Sequence, residues 1–286
     1  MKFIQSKNAN GSSVDIFYED LGSGTPVVFI HGWPLDHQMW EYQTNVLPNY
    51  GFRCIAYDRR GFGKSDKPWE GYDYNTLADD LKALLDQLDL HNVTLVGFSM
   101  GGGEVVRYFS RHGGQRVSRV VLISSITPYM KQTDNNPEGV PEDKLIEIMD
   151  NLEEDRAGFL TDFAKQFYGV SLLSHPVSQG VLDRDFLIAS QASLKATIEC
   201  ARSFAETDFR SEMRYINVPT LIIHGDADET VPINATSSEA AELIPQSEYI
   251  IYEGAPHGLC FTEKESLNDD LIQFIQAENT VSVSHP

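Results

Sequence analysis

Long apolar runs are missing from this chain. Stretches such as VVLI (Val120–Ile123) and TLII (Thr220–Ile223) are far shorter than the roughly 20 residues a helix needs to cross a bilayer. Basic residues are scarce as well. Lys and Arg number 22 against 42 Asp and Glu, a formal net charge of −20, so no positive face is available for a nucleic-acid backbone. The ordinary consequence of such acidity is a well-solvated surface; cationic partners or a high-salt habitat are the other readings. Cysteine is sparse too: Cys54, Cys200 and Cys260 are scattered, odd in number and without CxxC spacing, which points to buried reduced thiols in a cytoplasmic protein. The opening MKFIQSKNANGSSV has one early lysine but no apolar segment after it, so no secretory signal is expected there. No HExxH and no paired cysteines suggest a metal site. Neither metal nor cofactor is expected.

What is present is an alternation. Short apolar runs (PVVFIHG, FRCIAYDRRG, NVTLVGFS, RVSRVVLISS, TLIIHGD, SEYIIYEG) interleave with segments of helical period. This is the pattern of a mostly parallel sheet flanked by helices, an α/β fold. NTLADDLKALLDQLDL reads as a helix with Leu77, Leu81, Leu84, Leu85 and Leu88 on one stripe and Thr76 with Asp79 as a capping box. Helices are also expected over MGGGEVVRYFSRHGG, NATSSEAAELI and EKESLNDDLIQFIQ. The alternation stops between residues 126 and 217. That segment opens with the polar loop TDNNPEGVPED and continues with two helical stretches, roughly 142–168 and 181–205. It reads as a helical cap inserted into a core formed by residues 1–125 and 218–286. The final ENTVSVSHP reads as a loose tail.

GFSMG (Gly97–Gly101) satisfies G-x-S-x-G where a strand is expected to feed a helix, the context a nucleophile elbow requires. Side chains at 97 and 101 would collide with the neighbouring strand and helix, hence the glycines. A serine hydroxyl needs a base. Of eight histidines, only His257, in YEGAPHGL, lies in a loop straight after a strand near the C-terminal end of the sheet. His31 in FIHGWP is expected to make a structural hydrogen bond, and His224 to be packed inside its strand. The base needs a carboxylate to fix its tautomer. HGDADETVP offers Asp226, Asp228 and Glu229; Asp228 is further into the loop, and Asp226 is expected to serve the turn. The order Ser99, Asp228, His257 is the one this architecture demands. Two backbone amides should meet the oxyanion, one from Met100 and one from the loop after VVFIHG, at Trp33. RRGFGKSD is not a phosphate-binding loop, because Asp58 stands where the first glycine is required.

With HGWPLD, DRRGFGKSDKP, GFSMGGGEVVRY, SLKATIECARSFAETDF, VPTLIIHGDADETVP and GAPHGL in view, nearly the whole chain resembles the α/β-hydrolases. More narrowly it resembles the cofactor-free bacterial haloperoxidase, perhydrolase and aryl-esterase group. That resemblance implies an eight-stranded sheet with the cap after the sixth strand. It assigns Ser99, Asp228 and His257 as catalytic, with Trp33 and Met100 as the oxyanion hole. It implies short aliphatic or aryl esters, or carboxylic acids, as substrates, with hydrogen peroxide as a second acyl acceptor. Lactam hydrolysis on the same triad, a hydrolase-fold receptor with little turnover, and lyase chemistry are the rival readings. Pro34 fixes the backbone beside the acyl group, either as a perhydrolase feature or as an ordinary rigid turn. HGWP also fits epoxide hydrolases and haloalkane dehalogenases, but their aspartate nucleophile is replaced in this chain by Ser99. Phe159, Phe163 and Phe167 form one aromatic stripe that either roofs an apolar pocket or packs the cap on itself. Tyr129 and Val231 are expected beside the cleft. Homo-oligomers are compatible with all of this.

Overall fold

A computed structural model of the chain describes residues 1–277, so the expected tail lies outside the described residues. Eight strands form one sheet: β1 (Lys2–Lys7), β2 (Ser13–Gly22), β3 (Thr25–Ile30), β4 (Phe52–Tyr57), β5 (Val93–Phe98), β6 (Val117–Ile123), β7 (Thr220–Gly225) and β8 (Glu248–Tyr252). Their order is β1-β2-β4-β3-β5-β6-β7-β8. β2 alone runs against the others, pairing antiparallel with both β1 and β4; β3 to β8 pair in parallel. The six parallel strands are the runs legible in the sequence: β3 to β7 because a strand buried on both faces is apolar along most of its length, and the half-exposed edge strand β8 through its short apolar core. β1 and β2 are half-exposed and alternate instead.

Alternate side chains of the central strands feed two cores. Val28 and Ile30 of β3 join the leucines of α2 (Tyr74–Gln87) and Val105, Val106 and Phe109 of α3 (Met100–His112) on one face. Val27 and Phe29 join Leu267, Leu271 and Phe274 of α9 (Lys264–Gln276) on the other. The short helices α1 (Glu41–Thr44), α7 (Ser237–Leu243) and α8 (Leu259–Thr262) fill the connections. Among the described residues no helix is long and apolar enough to cross a membrane.

Three expectations need correction. α2 begins at Tyr74, not at a Thr76–Asp79 box: Asp73 caps it, its carboxylate accepting from the Asn75 and Thr76 amides, while Asp79 pairs with Arg111 and His112. The first stretch between β6 and β7 is α4 (Glu142–Phe167), broken at Asp155 (φ −145°, ψ 80°), whose carboxylate accepts from the Gly158 amide. An aspartate that bonds a backbone amide three residues on starts a new helix rather than continuing the old one. The second stretch is two helices, α5 (Gln179–Ser190) and α6 (Leu194–Glu206), the latter capped by Ser193.

The loop after β3 is anchored by His37. Its ring Nδ1 lies 2.5 Å from Asp58 Oδ1, which also accepts from the His37 amide at 2.8 Å, and its Nε2 is 3.5 Å from Glu19. Burial alone would lower the affinity of this ring for a proton; Asp58, Asp36 and Glu19 outweigh burial and raise it above the ordinary 6.5. A histidine raised on folding stabilises the native state below its unfolded value and loses that contribution as pH rises through the folded one. The stability gap between the protein and a His37→Asn variant is therefore expected to shrink as pH climbs from 6.5, by at most about 1.4 kcal/mol per pH unit. Urea titrations at successive pH values measure it; a gap independent of pH would mean that the ring stays neutral.

Candidate active site

The turn between β5 and α3 carries Ser99 at φ 52° and ψ −118°, a region that L-residues rarely occupy. The glycines around it are needed for close approach. A Cβ on Gly97 would lie 2.8 Å from the Gly101 carbonyl oxygen, and one on Gly101 would lie 2.5 Å from that of Ile30 in β3. The Ser99 amide donates to the Ile123 carbonyl of β6, which holds the turn against the next strand. The hydroxyl is thereby raised above the C-terminal edge of the sheet.

The loops after β7 and β8 bring their residues to the same edge. His257 Nε2 is 3.0 Å from Ser99 Oγ, and His257 Nδ1 is 2.6 Å from Asp228 Oδ2. Asp228 Oδ1 accepts from the Thr230 and Val231 amides, both at 2.8 Å. Both carboxylate and imidazole are shut off from solvent. Burial would raise the Asp228 carboxyl, but the neighbouring His257 and His224 rings overcome it and hold the group well below the ordinary carboxylate range. The depressed affinity favours the Asp228 anion, which can fix His257 as the tautomer whose Nε2 accepts the serine proton. Asp226 reaches across to the turn after β8 rather than holding its own, accepting from the Gly254 amide at 2.6 Å.

Met100 opens α3, and Trp33 lies on the loop after β3. Neither amide has an acceptor in range among the described residues. The Trp33 side chain is fixed by its indole N–H, which donates to the Thr197 carbonyl of α6 at 2.9 Å, and by Phe159, Phe163 and Phe204, whose ring centroids lie 5.2–6.1 Å away. Its loop is braced from below. His31 Nδ1–H donates to the Gly32 carbonyl and His31 Nε2 accepts from the Arg59 amide, each at 2.9 Å. Burial and the Arg59 charge lower its proton affinity strongly, so this histidine is neutral and structural.

Phe159 and Phe163 line a cavity of about 420 Å³ together with Ile148, Gln166, Thr230 and Pro232. Pro34, Phe163 and Phe167 line a second, of about 20 Å³. Phe159 and Phe163 stack on each other and face the larger cavity. Tyr129 lines neither; its ring lies under the Arg210 guanidinium at 5.0 Å, because the polar loop after it folds back through Asn136. Val231 is buried, and it meets the site through its backbone rather than its side chain.

The sequence reading missed three contacts. Phe98 and Phe167 pack against the His257 ring, with centroids at 4.9 and 5.0 Å. His224 is packed in its strand as expected, yet its Nε2 also reaches Asp228 Oδ2 at 3.1 Å. The only signal for that was spacing, four residues before the acid. One group among the described residues, Asp36, His37 and Asp58, brings three potential metal ligands within 4.8 Å of one another. Their lone pairs are taken up by hydrogen bonds from the Gln38 side chain and amide, from His37 and from the Lys64 amide.

Residues 25–264 match the α/β-hydrolase fold family. The chain belongs to it. It is 43% identical to a non-heme chloroperoxidase of Kitasatospora aureofaciens, over 92% of this chain and 96% of that protein. It is 38% identical to a bifunctional esterase/perhydrolase of Acinetobacter calcoaceticus, over 97% of this chain and all of the relative. The crystal structure of a bromoperoxidase from Bacillus anthracis superposes with a TM-score of 0.92 at 44% identity, covering 96% of this chain and all of that one. This α/β-hydrolase is thus an enzyme of that superfamily, and the narrower resemblance to the haloperoxidase and perhydrolase group holds along nearly its whole length.

Proposed function

We propose that this α/β-hydrolase is a serine hydrolase of short-chain aliphatic and aryl esters that also makes peracids. The observation that carries the reading is the unbroken chain from Ser99 Oγ through His257 to Asp228, set opposite two amides without acceptors. Ser99 Oγ attacks the ester carbonyl carbon while His257 Nε2 takes its proton. The oxyanion forms against the Met100 and Trp33 amides, where electrostatic stabilisation is typically worth two to three orders of magnitude per donor, roughly 100- to 1000-fold. His257 then protonates the leaving alcohol, and the acyl group stays on Ser99. Water delivers a carboxylic acid and hydrogen peroxide a peracid; in each case His257 removes the incoming proton and returns it to Ser99.

The segment between β6 and β7 acts as the cap in this reading. Phe159 and Phe163 offer an apolar wall to the acyl or aryl group, and Pro34 shapes the floor beside it. The buried free thiols Cys54, Cys200 and Cys260 fit a reducing compartment, the cytoplasm. The test is paired: p-nitrophenyl acetate turnover, and peracid formation from acetate and hydrogen peroxide, both with a chelator present. Both products are expected. Ester cleavage without peracid would remove the perhydrolase half of the proposal; neither product would remove the whole.

A further inference from the structure

His224 lies in β7, is fully buried, and is not needed to complete a Ser–His–Asp chain. Its contacts nevertheless determine its protonation. Nε2 is 3.1 Å from Asp228 Oδ2 and 3.1 Å from the Val231 carbonyl oxygen. Neither atom can donate, so the ring proton sits on Nε2. Nδ1 is 2.6 Å from Ser237 Oγ, at the start of α7, so the hydroxyl donates there and holds the ring in that tautomer. A neutral ring then has both nitrogens satisfied.

From the carboxylate outwards the pattern is symmetrical. Asp228 Oδ1 accepts from two backbone amides of its own loop, and Oδ2 from two imidazole N–H groups, those of His257 and His224. Every acceptor position of the carboxylate is occupied. His224 also grips the Val231 carbonyl, so it ties the acid and the far end of its loop to the sheet.

Resting on the serine-hydrolase reading above, we propose that His224 is a positioning residue: its Nε2–H locks Asp228 Oδ2 towards His257, and Ser237 fixes the tautomer that makes this possible. Two effects follow. The carboxylate cannot swing away when His257 turns as it passes the proton, and small misplacements of reacting groups can cost about 100-fold in rate. The second effect is electrostatic. A second donor on Oδ2 takes up part of its charge, so less is left to stabilise protonated His257. The titratable groups facing His224 are Asp228 and, across that carboxylate, His257; Ser237 is its neighbour on α7.

The experiment compares His224→Leu, His224→Gln and Ser237→Ala with the unmodified enzyme in p-nitrophenyl acetate hydrolysis, following kcat, KM and the pH dependence of kcat/KM. His224→Leu is expected to lower kcat about 10- to 100-fold with KM little changed, and to move the acid limb of kcat/KM to higher pH. His224→Gln keeps an N–H for Asp228 and is expected to restore most of the rate and the original limb. Ser237→Ala is expected to shift the limb in the same direction by less. A partly unfolded population scales every rate without moving the limb, so the limb separates positioning from loss of fold. Should His224→Leu fail to fold, the Gln and Ser237→Ala variants carry the test alone. An unmoved limb in folded His224→Leu, or in Ser237→Ala where His224→Leu does not fold, or His224→Gln as impaired as His224→Leu, overturns the inference. Ser99→Ala in the same assay separates the two levels: turnover surviving in it overturns the serine mechanism, whereas its silence beside unaltered His224 variants overturns only the positioning role of His224.

Discussion

Ser99→Ala is expected to lower kcat for p-nitrophenyl acetate by about four to six orders of magnitude. The fold should be untouched, because the hydroxyl contributes one hydrogen bond, to His257, and the surrounding turn is held by backbone contacts. What survives should be the modest acceleration that the Met100 and Trp33 amides give to attack by water. A second substitution at the same position reads the cost of presenting the nucleophile. At φ 52° and ψ −118° any side chain strains the backbone, by about 1–3 kcal/mol. Glycine relieves that strain and gives back part of the gain as unfolded-chain entropy, about 0.5–1 kcal/mol. Ser99→Gly is therefore expected to be inactive yet more resistant to urea than Ser99→Ala, by on the order of 1 kcal/mol. Ester turnover in Ser99→Ala within tenfold of the parent would sink the acyl-serine route. Equal urea midpoints would show that the strain is no larger than the entropy glycine gives back.

The second large effect is on stability and reaches the site indirectly. Glu104 of α3 and Arg59 are both fully buried, and the Arg59 Nε–H donates to Glu104 Oε1 at 2.6 Å. Tyr57 donates to the other carboxylate oxygen, also at 2.6 Å, and Arg59 donates onward to the His31 carbonyl at 2.7 Å. The helix that begins next to Ser99 and the loop that carries Trp33 thus share one buried ion pair. Glu104→Leu strands the guanidinium in an apolar interior, and breaking such a pair costs about 3–5 kcal/mol. That is a large fraction of the stability of an ordinary domain, roughly 5–15 kcal/mol. Urea unfolding of Glu104→Leu should show that loss. In whatever fraction remains folded, ester turnover should also fall, since the His31–Gly32 backbone is no longer braced. A stability change below about 1 kcal/mol would indicate that water reaches Arg59 or that the His31 carbonyl satisfies it alone.

Much of the fold was legible because of how parallel sheets are made. β3 to β7 are buried along most of their length, so each carries a nearly continuous apolar stretch; the edge strand β8 is half-exposed and read as a strand from its own short apolar run, and the helices between them show their period plainly. β1 and β2, exposed along one edge, left no such run and were expected only through the family resemblance. Helix boundaries were misjudged where a polar side chain competes with the backbone. Asp73 took the cap expected at Thr76, and Asp155 broke a helix whose apolar period runs on across it. No count of apolar residues shows which carboxylate will turn inward to an amide.

The order of chemical groups is written in the chain itself: a serine between glycines at a strand–helix junction, an acid after β7 and a histidine after β8. That order was readable because the elbow tolerates so few residues and because parallel strands deliver their following loops to one edge. Distances came from the folded packing alone, and with them which acid turns to His257 and which to the loop. The same packing makes Phe163 face two cavities while Tyr129 faces an arginine, and lets His224 share an oxygen with His257. Those facts depend on how the segment between β6 and β7 and the loops pack across one another, between residues far apart in the chain. Spacing along a chain limits which residues can share an element; it does not say which elements will press together.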